Sequence, residues 1–86
     1  MKYDKQVQNR LKRIEGQLKG VLRMMEENED CRDVVMQLSA IRTATDRAIG
    51  VIVSENLEAC VRESLENGGS TEDVVKEAVE LLVKSR

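Results

Sequence analysis

No histidine, proline, phenylalanine or tryptophan occurs among the 86 residues, and Tyr3 is the lone aromatic side chain. Without histidine there is no His-dependent catalytic triad, no His general base and no Cys/His zinc pattern. Glycine is scarce, and Gly16 and Gly20 sit inside a helical pattern rather than in a phosphate-binding loop. Two cysteines are too few for a disulfide scaffold, so reduced thiols in a cytoplasm are expected. No stretch of 18 consecutive apolar residues is available to span a bilayer. The N-terminal charges precede no apolar run of the kind a signal peptide carries.

What is present points to helices. The apolar residues are almost entirely Val, Ile, Leu, Met and Ala, charged residues make up 35% of the chain, and helical spacing runs through most of it. So short a chain buries little core by itself, which favours a single all-α domain, residues 1–86, stabilised by self-association. Net charge is −2, but unevenly placed. The first 25 residues hold seven basic and two acidic side chains, a net of +5, which leaves −7 for the remainder. A basic first segment on an acidic body implies a localised anionic partner.

The first helix is expected from about Asp4 to Glu27. Val7, Leu11, Ile14, Leu18, Val21, Leu22 and Met25 form one apolar stripe, centred roughly opposite Lys5, Lys12, Lys19 and Arg23. Arg10 flanks the stripe, and Arg13 lies nearer the basic side. Gly16 and Gly20 are costly inside a helix, and close approach of another helix would account for them. Asn28 or Asp30 is the expected N-cap of a second helix that opens on Cys31. The helix start favours a thiolate at Cys31, whereas Glu29, Asp30 and Asp33 oppose one, and the balance stays open.

The second helix is expected to run past Cys60 to about Leu65, with Val34, Leu38, Ile41, Thr45, Ala48 and Ile52 as its seam. Asn67-Gly68-Gly69 stops it. Ser70 or Thr71 caps a third helix, with Ser70 and Asp73 forming a capping box, whose apolar residues are Val74, Val75, Ala78, Val79, Leu81 and Leu82. If the second helix is continuous, the 29 positions from Cys31 to Cys60 span about 43 Å, far beyond the roughly 7 Å a disulfide allows. Two copies packed antiparallel about a two-fold axis between Thr45 and Asp46 would set Cys31 of one beside Cys60 of the other, twice per dimer. The plainer alternative is that both cysteines simply fill apolar positions.

Taken together, the run Arg10-Leu11-Lys12-Arg13-Ile14-Glu15-Gly16-Gln17-Leu18-Lys19-Gly20, the cysteine opening the second helix and the segment Ser54-Glu55-Asn56-Leu57-Glu58-Ala59-Cys60 resemble the CsoR/RcnR family of transcriptional repressors. The resemblance covers essentially the whole chain. It implies three helices per protomer, an antiparallel four-helix-bundle dimer core, a dimer of dimers, and operator DNA bound without a helix-turn-helix. It also implies roles for Arg10 and Arg47 in DNA binding, with Arg13 contributing and Lys5, Lys12 and Lys19 making less specific phosphate contacts.

Copper-sensing members carry a Cys, then His and Cys one turn apart. The matching positions here are Cys31, Asn56 and Cys60, and a side-chain amide is a poor ligand for soft Cu(I). Those sensors also have a Tyr where this chain has Asp30, and nickel or cobalt sensors need several histidines. Two cysteines without the histidine resemble the persulfide-sensing branch typified by CstR, in which reactive sulfur species link two protomers through di- or polysulfide bridges. That resemblance makes Cys31 and Cys60 sensor thiols, with Asn56 beside them and no resident cofactor or metal. The rival readings are a Cu(I) sensor using the two thiolates, a thiol peroxidase or sulfurtransferase, and a helical adaptor that does not bind DNA. No general base or oxyanion site beside either cysteine speaks for an enzyme.

Overall fold

The computed structural model describes residues 2–85. Three helices follow one another, α1 (Lys5–Glu26), α2 (Cys31–Glu66) and α3 (Glu72–Lys84), and no strand occurs among the described residues. None of these helices is long and apolar enough to cross a membrane. The chain divides into two compact units, one covering Lys2–Ala48 and the other beginning at Ile49. The boundary falls inside α2, beside Gly50.

Each helix end has a local cause. Asp4 is the N-cap of α1, its Oδ1 accepting the Val7 N–H at 2.9 Å. The helix therefore starts one residue later than the periodicity suggested, because Asp4 supplies the cap rather than the first turn. At the other end Asn28 takes a left-handed φ of 57°, which lets Glu29 N–H reach Met24 O (3.0 Å) and Asn28 N–H reach Met25 O (3.2 Å). This is a Schellman closure with asparagine where glycine is usual. Asn28 thus ends α1 and does not cap α2. Asp30 takes the capping position, with its carbonyl accepting from Asp33 N–H at 3.0 Å.

The same closure recurs after α2. Gly68 has φ 72°, Gly69 N–H donates to Ser64 O (2.8 Å) and Gly68 N–H to Leu65 O (3.2 Å). Ser64 Oγ then donates to Ser70 O at 2.7 Å, fixing the turn into α3. Ser70 Oγ accepts the Glu72 N–H at 3.2 Å, not the Asp73 N–H that the expected capping box would use. Thr71 precedes α3 without a side-chain cap bond.

In the first unit the apolar stripe of α1 divides in two. Val7, Ile14 and Val21, spaced by seven, are buried, and Ile14 and Val21 form a core cluster with Ile41, against which Val34 and Ala44 pack. Leu11 (45% exposed), Leu18 (44%) and Leu22 (60%) remain open, as does Met25. On α2, Ile41 is buried while Val35, Met36 and Leu38 are exposed. Thr43 and Thr45 satisfy their hydroxyls on the carbonyls of Ser39 (3.2 Å) and Ile41 (2.8 Å), so they sit in the helix without orphaned polar groups.

The second unit holds the rest of α2 and α3. Ile49, Val51, Ile52 and Val53 are half-buried although they spread over about 200° of the helix surface, and Ala78 is the buried residue of α3. Val75, Val79 and Leu82 are exposed. Gly16 and Gly20 correct the sequence-based expectation as far as one chain goes. A Cβ built at either would meet nothing within 4 Å, so no helix of this chain approaches them closely.

Candidate nucleic-acid interface and thiol site

Arg10, Arg13 and Gln17 follow one another along α1 at steps of three and four, which places them on one flank of the helix. Ala44 and Arg47 lie on the facing flank of α2. Together with Ile14 they line a cleft of about 190 Å³ in the first unit. Three of the expected DNA-binding residues therefore converge. All three arginines are exposed, and none makes an ion pair among the described residues. Fifteen N–H donors at one cleft, five from each guanidinium, form a site suited to an oxyanion.

Lys5, Lys12 and Lys19 are not part of this cleft. At ~100° per residue they lie roughly 120° or more around α1 from Arg10 and Gln17, on the back of the helix away from its buried row. Arg13, about 80–120° from them, stands between the lysines and the rest of the arginine site. The exposed Leu11, Leu18 and Leu22 occupy the third sector, across the buried row from the arginines. α1 is thus divided into a cationic flank, an apolar flank and a lysine-bearing back.

Gln17 was missed by sequence reasoning as a member of this site. Its Oε1 is buried in the structure and has no hydrogen-bond donor, a condition that costs about 1–3 kcal/mol. The signal was present in its spacing from Arg10 and Arg13, but a lone polar residue between charged ones carries no weight until α2 closes over it.

Cys31 is the first residue of α2 and is exposed, whereas Cys60 is half-buried near the far end of the same helix, and both are free thiols. Asn56 stands one turn before Cys60, and the Cys60 thiol donates to Asn56 Oδ1 across 3.8 Å, a long, sulfur-type contact. A helix brings residues four apart together irrespective of tertiary packing, which is why this pair is adjacent. The donor set offers a soft metal one thiolate and one amide here and a second thiolate at Cys31. It does not offer the imidazole that would complete a three-coordinate Cu(I) set or a nickel site. Among the described residues no three Cys, Asp or Glu side chains converge on a point that would hold a metal ion.

The chain matches the family model described as metal-sensitive transcriptional repressor over residues 3–84. It is 68% identical over 63 residues to the uncharacterised protein YrkD of Bacillus subtilis (strain 168), covering 73% of this chain and all of that one. Its fold is shared by several solved structures, two of them matched over nearly the whole of both chains. One is the nickel-responsive transcriptional regulator InrS, 32% identical with a TM-score of 0.79, covering 96% of this chain and 92% of that one. The other is the copper-sensing repressor CsoR with Cu(I) from Geobacillus thermodenitrificans NG80-2, 31% identical with a TM-score of 0.79, covering 98% and 91%. Members of the family are transcriptional repressors and not enzymes. By the extent of that match, the chain belongs to the CsoR/RcnR family of metal-sensitive transcriptional repressors.

Proposed function

We propose that this repressor binds operator DNA in its reduced state and is released when reactive sulfur species bridge Cys31 of one protomer to Cys60 of another. The observation that carries the proposal is the Asn56–Cys60 pair, because an amide stands where the copper-sensing pattern requires an imidazole. What remains is a complete pair of thiols on an incomplete metal site. The whole chain, residues 1–86, acts as one DNA-binding and sensor domain.

The assembly is a homodimer built on α2, paired into a tetramer. Its support is the unburied apolar surface. Leu11, Leu18 and Leu22 lie open on α1, and the apolar run around Gly50 covers about 200° of α2, wider than the stripe one packing partner needs. A second α2 running antiparallel covers such a surface and places sulfurs from different chains side by side. An unbroken helix between the two cysteines of one chain keeps them from pairing with each other.

In the chemical step the Cys31 thiolate attacks the outer sulfur of a persulfide. Cys31 becomes a persulfide and the donor leaves as a thiolate. The partner's Cys60 thiolate attacks the inner sulfur of that adduct and expels sulfide, leaving a disulfide. The two cysteines together lose two electrons, which leave with the transferred sulfur as sulfide. One further transfer before closure gives a trisulfide and two give a tetrasulfide, each closure still expelling one sulfide. Asn56, already in contact with Cys60, holds that sulfur in place. DNA binding uses Arg10, Arg13 and Arg47, assisted by Lys5, Lys12 and Lys19 through weaker phosphate contacts.

Intact mass spectrometry under non-reducing conditions after polysulfide treatment tests this reading. Covalent dimers, as plain disulfides or carrying added sulfur in steps of about 32 Da, absent from Cys31→Ala and from Cys60→Ala and accompanied by loss of DNA binding, support it. The alternative, a Cu(I)-responsive repressor using the two thiolates, is favoured by the copper-sensing structural relative. Tight stoichiometric Cu(I) binding that releases DNA, with polysulfide inert, overturns the sulfur reading.

A further inference from the structure

We propose that the arginine cleft seats a single phosphate of the DNA backbone and that Gln17 is the positioning residue that aims its guanidinium groups. The inference rests on the DNA-binding half of the proposed function and adds a residue and a geometry to it. Gln17 Oε1 is buried and lacks a donor, and the only other side chains at the cleft able to donate are Arg10, Arg13 and Arg47. A phosphodiester carries no proton near neutral pH, so it cannot supply the missing hydrogen bond. A guanidinium has five N–H groups and serves both acceptors at once, two facing a phosphate and another facing the amide oxygen.

Three like charges share one opening. A phosphate cancels that repulsion and draws the guanidinium groups inward, where Gln17 Oε1 receives its donor and fixes the orientation. The amide contributes no charge of its own. Its effect is on how well an arginine meets the phosphate, and it is independent of base sequence.

The test uses full-length protein and two labelled duplexes of equal length, one selected by the wild-type protein from random sequence and one random. Gln17→Met keeps side-chain length and helix propensity while removing the acceptor. Binding to both duplexes is expected to weaken about tenfold, and the slope of log affinity against log salt to fall by about one. Polysulfide cross-linking stays at the wild-type value, and the melting temperature does not fall, because the variant removes an acceptor that lacks a donor in the unbound protein. Gln17→Glu, which sets a carboxylate against the same guanidinium, lowers the slope likewise and weakens binding further. Gln17→Met with wild-type affinity and slope overturns the inference. So does weakening with an unchanged slope, or weakening confined to the selected duplex, which would mark a base contact. Arg10→Ala and Arg47→Ala separate the two levels. If both bind DNA as the wild type does, the cleft is not the interface at all; if both weaken while Gln17→Met does not, only the role of Gln17 falls.

Discussion

Cys60 Sγ lies 3.8 Å from Asn56 Oδ1, one helical turn earlier on α2. On the proposed function this pair would decide which soft electrophile the site accepts, since the side chain at position 56 can serve as a third metal ligand or as a hydrogen-bond partner for sulfur. Asn56→His restores an imidazole next to a thiolate. Cu(I) affinity in competition with a chelator is expected to rise about tenfold or more, with polysulfide cross-linking retained. An unchanged Cu(I) affinity would show that position 56 does not face the site.

Arg10→Ala and Arg47→Ala are each expected to weaken DNA binding and to reduce the salt slope by about one. Lys12→Ala and Lys19→Ala should do less, since those side chains lie around α1 from the cleft. Fluorescence anisotropy at several salt concentrations checks the order. Equal losses at lysines and arginines would mean that the whole basic surface acts as one diffuse patch.

The apolar flank of α1 has a separate readout. Leu18→Glu places a charge among Leu11 and Leu22 without touching the buried row of Val7, Ile14 and Val21. Light scattering should show the assembly dissociating at concentrations where the wild type stays associated, because each leucine withheld from water is worth about 1.5–3 kcal/mol. Retention of the wild-type mass would place the interface elsewhere.

Glycine substitutions are expected to split in sign. Gly68 has φ 72°, so Gly68→Ala forces a side chain into the left-handed region at about 1–2 kcal/mol. Gly16 is inside α1 with nothing within 4 Å of the place an alanine methyl would take, so Gly16→Ala should stabilise the helix by about 0.5–1 kcal/mol. Thermal melts read both, as about 4–8 °C per kcal/mol for a domain of this size. A Gly16→Ala protein that melts higher yet binds DNA poorly would locate the reason for the glycine on the outer surface.

The helices were legible because each is bounded by strong local chemistry: Asp4 before α1, the Asn67-Gly68-Gly69 break after α2, and seven-residue spacing between. Boundaries moved by a residue where a cap replaced a turn. Asn28 reads from sequence as one of two possible caps because asparagine suits both a cap and a left-handed helix end, and only the backbone angle separates those uses. The arginines could be named from sequence, yet their meeting at one cleft depends on α1 packing against α2 through Ile14, Val21 and Ile41, which no spacing along α1 reveals. Periodicity likewise merged Leu11 and Leu18 with Val7 and Ile14 into one stripe. It measures which side of a helix is apolar and is blind to which part of that side its own chain covers.

The leucines left open on α1 have a consequence for the cell. A fold that completes its core with another copy answers to its own abundance, since dilution returns it to chains with bare apolar flanks. If that flank is the contact between copies, the side chains around Leu11, Leu18 and Leu22 would also sort self from related chains made in the same cell.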